Sequence, residues 1–162
     1  MHYLIDGYNL LFLLFKDQEI ELEKQRDSLI SLIINKDIKG KVLIVFDGDQ
    51  EEESQYYIHE KFRIVYTAKN ETADQYIIQK IAYFKKQGPY LLISSDKRLT
   101  SVATYEGAYH LSAESFLKYL NSNNLRNPLS NKADSKPNMD TEYQIERLNR
   151  IFEKKLMNKD SE

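Results

Sequence analysis

Three short apolar runs constrain this chain more than any other feature: Tyr3-Leu4-Ile5, Val42-Leu43-Ile44-Val45-Phe46 and Tyr90-Leu91-Leu92-Ile93-Ser94. The middle run shows no polar alternation. A strand of that kind needs cover on both faces, as a parallel strand has between two helix layers. Each run leads into an aspartate: Asp6, Asp47 and, just past Ser94-Ser95, Asp96. Open parallel sheets bind ligands outside the carboxyl ends of their strands. The pattern therefore directs three carboxylates toward one sheet edge.

Helical patterns fill the intervals. Residues 8–15 are apolar on nearly every side and read as a short buried helix or turn. Residues 19–36 carry a stripe of Ile20, Leu22, Leu29, Ile30, Leu32, Ile33 and Ile34 opposite Glu21, Glu23, Lys24 and Arg26, the signature of an amphipathic helix. Gly40 is its stop. Residues 49–53 read as an acidic surface loop, and residues 62–67 as a strand whose alternation suits a place near an edge. Residues 71–87 form a strong helix with Asn70 or Thr72 as N-cap, a stripe of Ala73, Ile77, Ile78, Ile81 and Phe84, and Gly88-Pro89 as stop. A helix over residues 97–105, a strand over 109–111 and a helix from Ser112 to Leu120 complete the series. Five alternations of strand and helix predict an α/β fold, with a mostly parallel sheet, right-handed crossovers and helices on both faces.

That domain spans residues 1–120. Residues 121–140 turn polar, with Pro128 and Pro137, and read as a linker. Residues 141–157 recover an apolar stripe of Ile145, Leu148, Ile151, Phe152 and Leu156 and read as an amphipathic helix that packs back on the domain or binds a partner, docking on the domain being slightly favoured because such a helix is marginal alone. The chain of 162 residues has 41% hydrophobic residues and a net charge of −2, so any contact with nucleic acid must be a local basic patch. The absence of cysteine excludes disulfides and thiolate metal sites. Asp6, Asn9, Lys16 and Asp17 interrupt the apolar start, which argues against a signal or membrane segment. The expectation is a soluble cytoplasmic protein with no membrane partner.

Asp74 joins the three strand-end aspartates. It lies three residues before Ile77 and four before Ile78, on the apolar side of its helix. A charge there needs a partner, and few cations in the sequence are placed to supply one. Taken singly, each acid has a plainer reading: Asp74 complements the helix dipole, Asp96 caps a helix, and Asp6 and Asp47 form turns. Together at one edge they would repel and raise one another's pKa. A hard divalent cation, Mg²⁺ or Mn²⁺, relieves this through oxygen ligands. It also activates water and stabilises charge on a phosphodiester. Asn9 is either a polar helper for that chemistry or a helix cap. Ser94 and Ser95 are supporting hydroxyls or caps, and Thr72 is a cap.

These motifs resemble a family. Asp6-Gly7-Tyr8-Asn9, Val45-Phe46-Asp47-Gly48, Glu71-Thr72-Ala73-Asp74 with Ile77, and Ser94-Ser95-Asp96 look, in this order, like the motifs of NYN-domain nucleases, the YacP-like branch of the PIN-domain superfamily. The resemblance covers residues 1 to about 120. It implies a PIN-like three-layer α/β/α sandwich with a C-terminal linker and amphipathic helix appended. It also implies a site in which Asp6, Asp47, Asp74 and Asp96 hold Mg²⁺ or Mn²⁺ with Asn9 as polar helper, and endonucleolytic cleavage of RNA. Among some bacterial relatives the substrate is mRNA on the ribosome, which makes mRNA and the ribosome the implied partners.

For RNA contacts, Lys69, Lys97 and Arg98, with Lys61 and Arg63, are candidates for phosphates, and Tyr8, Tyr56, Tyr57 and Tyr66 for stacking on unpaired bases. For a single lysine the plainer reading is a solvated face, and for Tyr66 core packing. A haloacid-dehalogenase-type phosphatase is disfavoured, because the position two after Asp6 is Tyr8 rather than an aspartate. No G-x-x-x-x-G-K-[S/T] loop, no G-x-G and no zinc-ligand spacing of His2, His59 and His110 exists. The remaining rival is a catalytically inactive PIN-like module that binds RNA or protein.

Overall fold

The computed structural model describes residues 1–16, 18–36, 38–48, 55–59 and 61–121. The linker and C-terminal helix expected over residues 121–157 lie outside the described residues except for Asn121, and so does the acidic loop over residues 49–53. The elements run β1 (His2–Asp6), α1 (Gly7–Leu14), α2 (Leu22–Ile34), β2 (Lys41–Phe46), β3 (Gln55–His59), β4 (Phe62–Tyr66), α3 (Ala73–Phe84), β5 (Tyr90–Ile93), α4 (Lys97–Tyr105), β6 (Tyr109–Leu111) and α5 (Ala113–Asn121).

The strands form one sheet in the order β3-β4-β2-β1-β5-β6. All neighbours are parallel except β3, which runs antiparallel to β4. The register is flush at the centre: Ile5 pairs with Ile44 on one side and Ile93 on the other. The three runs singled out in the sequence are these central strands, and Leu4, Ile5, Ile44, Val45, Leu91, Leu92 and Ile93 have no exposed surface. On one face Leu4, Leu43, Val45, Val65 and Leu92 pack with Ala73, Tyr76, Ile77 and Ile81 of α3 and Leu99 and Ala103 of α4. Successive strand residues point to opposite faces, so Ile44, Phe46 and Ile93 turn to the other face. There α1 packs against β1 and β2 and is itself flanked by α2 and α5. Three layers result.

Chain order places β2 on one side of β1 and β5 on the other. The chain leaving β1 turns to one face as α1 and the chain leaving β5 to the other as α4, which opens the kind of crevice where doubly wound sheets bind ligands.

Residues 62–67 do lie near an edge: β4 is one strand in, between β2 and the edge strand β3. Its alternation arises because Arg63 is exposed on the face where Val65 is buried, so cover runs out along the strand. The edge is β3, which the polar residues around it hid from periodicity. Finally, α2 starts at Leu22 rather than Glu19, and Ile20 and Leu22 stay exposed. Buried Gln25 closes that start by donating from Nε2 to the Ile20 carbonyl at 2.8 Å.

Candidate active site

Asp6 ends β1, and the chain turns directly into α1. The Asp6 side chain caps that helix, with Oδ1 accepting from the Asn9 amide at 3.2 Å. Gly7 permits the turn, since a Cβ there would lie 2.5 Å from the Phe46 ring. Oδ2 of Asp6 accepts from the Ser94 hydroxyl at 2.9 Å, and that hydroxyl accepts in turn from the Asp96 amide at 3.0 Å. Asn9 is no cap: its Oδ1 accepts from the Ser95 amide at 2.8 Å. Two polar bridges thus tie the end of β1 to the chain leaving β5, across the crevice. Ser95 Oγ continues outward, donating to Glu114 Oε2 at 2.9 Å and accepting from the Ala113 amide at 3.0 Å.

Asp96 does cap α4, its Oδ1 accepting from the amides of Arg98 at 2.7 Å and Leu99 at 3.0 Å. Asp47 links β2 to α3, Oδ1 accepting from the Ala73 amide at 2.6 Å. The chain then passes close to β4: the Gly48 amide donates to Thr67 Oγ1 at 3.1 Å, and a Cβ on Gly48 would lie 1.8 Å from the Thr67 carbonyl oxygen. The Asp-Gly pairs at 6–7 and 47–48 are therefore set by backbone crowding. Thr72 is the N-cap of α3, in a reciprocal capping box with Gln75.

Asp74 stands in the first turn of α3, partly buried. Among the described residues its carboxylate makes no hydrogen bond and no ion pair. Burial, then the charge of Asp96, raise its pKa; Arg98 opposes this and Asp47 adds to it. Asp6 is pushed up to about 6, first by burial. The hydrogen bonds from Asn9 and Ser94 pull the other way, and the charges of Asp74 and Asp47 add to the rise. The four aspartates predicted from the sequence thus share one electrostatic field, and three of them keep a fixed orientation through backbone amides.

Among the described residues no three acidic or histidine side chains close on a single point as a ready ligand group. A cation caged entirely by protein does not fit this arrangement. A magnesium-type ion does fit, because it commonly takes one or two carboxylates directly and keeps several waters.

The structure separates the candidate RNA contacts. Lys97 and Arg98 are exposed in the first turn of α4 beside Asp96, and Lys69 is exposed between β4 and α3. Lys61 and Arg63 instead lie at the start of β4, at the opposite end of the strands from the aspartates. Tyr8 stacks on Phe12 and meets the edge of Phe46, which stacks on Tyr66, which meets Tyr57 edge-on. Arg26, read from the sequence as solvent-facing, ties this ladder together. It donates to Tyr8 Oη at 3.2 Å and lies 5.3 Å from the Tyr66 ring centroid. Nothing local in the sequence pointed to this contact, since its partners come from α1 and β4.

The family model for the YacP-like NYN domain matches residues 3–159, so the family pattern runs through the polar segment and the expected C-terminal helix as well. No curated protein matches the chain. Among solved structures, a mutant of Rae1 (YacP) from Bacillus subtilis is similar with a TM-score of 0.61 and 25% identity, over 74% of this chain and 74% of that one. A second structure of Rae1 (YacP) from Bacillus subtilis is similar in fold with a TM-score of 0.59 and 22% identity, over 99% of this chain and 87% of that one. No helix among the described residues is long and apolar enough to cross a membrane. With its sheet order and a family match over nearly its whole length, the chain belongs to the YacP-like NYN domain family, a membership consistent with nuclease function.

Proposed function

We propose that the chain is a divalent-metal-dependent endoribonuclease acting on mRNA, with the ribosome as the setting and the cytoplasm as the compartment. The observation that carries this is the shared field of Asp6, Asp47, Asp74 and Asp96 at the sheet's switch point, with Asp74 lacking a described partner. Such a field disfavours four ionised carboxylates unless a cation joins them.

Asp74 and Asp96, with Asp6 and Asp47, would hold Mg²⁺ or Mn²⁺. When bound, the ion supplies an activated water and neutralises charge on the phosphodiester. The chain's own groups do the rest. Ser94 holds Asp6, and the helix starts of α3 and α4 hold Asp47 and Asp96 through backbone amides, so the acids are oriented before substrate arrives. The side-chain carbonyl of Asn9 is fixed by the Ser95 amide, which leaves the side-chain N–H groups to orient a phosphate oxygen or a water. Lys97, Arg98 and Lys69 neutralise flanking phosphates. The Tyr8 ladder offers aromatic surface to unpaired bases, Phe12 being 60% exposed and Tyr57 55% exposed.

Cleavage of a labelled, mostly single-stranded RNA with Mn²⁺, Mg²⁺ or EDTA, in the native chain and in Asp74→Asn, tests the reading. Internal cuts that require metal and disappear in the variant support it. Absence of cleavage, together with a melting temperature that ignores Mn²⁺, would sink it and leave the binding module.

A further inference from the structure

The end of the sheet away from the aspartates carries a cavity of about 320 Å³. It opens among the first residues of β1, β2 and β4 and the last two turns of α3, with Lys41, Lys61, Arg63, Lys80, Tyr83 and Phe84 in its lining. Among the described residues no carboxylate lines it, although the whole chain is net negative at −2. The volume lies in the range of small-ligand sites, roughly 300–1,000 Å³. At about 3.3 Å per residue, the four steps from His2 to Asp6 separate it from the carboxylates by roughly 13 Å.

We propose that this cavity is a second binding site, which takes one nucleotide unit of a single-stranded RNA, its phosphate among the lysines and Arg63 and its base on Tyr83. The four cations come from three elements or their edges, so the charge is convergent rather than a solvated helix face. Tyr83 is 54% exposed and Lys80 Nζ lies 5.6 Å from its ring centroid and 4.9 Å from that of Tyr76. An aromatic face next to a cation suits a flat base attached to a phosphate; an acidic peptide would use the cations and leave the ring idle. His2 stacks on Phe84 at 5.2 Å. Burial, and then the positive charges of the amino terminus and Lys41, lower its pKa, which agrees with a positive local potential. The site stands apart from the nuclease reading, because binding here needs no divalent ion.

The test uses the full chain in EDTA with a short, labelled, unstructured RNA. The double variant Lys41→Gln/Lys80→Gln should weaken binding about tenfold and flatten the salt dependence by roughly one to two phosphate contacts, while its melting temperature stays near that of the native chain. Asp74→Asn should leave this difference in place. Saturating RNA should protect Lys41 and Lys80 from acetylation, read by mass spectrometry. Unchanged affinity and salt slope in the double variant, or no protection, would overturn the proposal. Protection by free AMP but not by RNA would overturn it too, since the occupant would then be a free nucleotide. If RNA occupies the cavity and no metal-dependent cleavage is ever seen, only the nuclease reading falls.

Discussion

Gly48 shows how tightly single residues are held around the acids. The added Cβ of Gly48→Ala would meet the backbone carbonyl of Thr67 at 1.8 Å, and backbone cannot rotate aside as a side-chain tip can. Overpacking of this kind costs about 1–3 kcal/mol, so the variant should melt lower and displace Asp47, its neighbour. Thermal unfolding reads the first effect and metal affinity the second. His110 makes a different residue-scale prediction. It lies on β6 with its Nδ1 3.3 Å from Thr104 Oγ1, and burial lowers its pKa. The unfolded chain therefore takes up a proton, at a pKa of about 6.5, that the folded chain resists. By linkage, stability falls as pH drops through that value and levels off below the folded pKa. Asp6, raised to about 6, favours the folded state over part of the same range. The His110 contribution is thus read as the difference between native and His110→Gln urea midpoints across pH 5 to 8, and a flat difference would refute it.

At the scale of elements, the helices that carry acids are set by caps. Thr72 and Gln75 bond reciprocally at the start of α3, just where Ala73 meets Asp47 and where Asp74 projects. Thr72→Ala removes the hydroxyl acceptor and should cost about 1 kcal/mol, visible as a lower denaturant midpoint with an unchanged slope. Elements also show what the sequence could and could not reveal. Central strands were legible because full burial leaves an unbroken apolar run, as at Val42 to Phe46. The acids were legible because each ends its strand or follows it within three residues, so chain connectivity alone carries Asp6, Asp47 and Asp96 to one edge. The strand β3 was not, since Tyr56, Tyr57 and Ile58 are exposed and such tyrosines suit a loop as well as a ladder. Arg26 and the basic cavity were illegible for another reason. Their partners come from separate elements, Tyr8 and Tyr66 in one case and β2, β4 and α3 in the other, and no local pattern encodes such meetings.

For the whole molecule, the parallel strands separate charge: carboxylates gather at the carboxyl ends and Lys41, Lys61, Arg63 and Lys80 near the amino ends. The acidic end is a local liability when no cation is present, because Asp74 and Asp6 are raised by burial and by their acidic neighbours. Neutralising Asp74 should therefore stabilise the metal-free protein while removing a proposed metal ligand. In EDTA, Asp74→Asn should melt above the native chain. With Mn²⁺ the order should reverse. A ligand at one hundred times its dissociation constant stabilises a fold by about 2.7 kcal/mol, enough to overtake the relief of one partly exposed repulsion. Crossing melting curves, with the native chain lower in EDTA and higher in Mn²⁺, would tie the carboxylate field to metal binding in one titration. Parallel curves, with the variant above at every metal concentration, would mean that the acids repel and hold no ion.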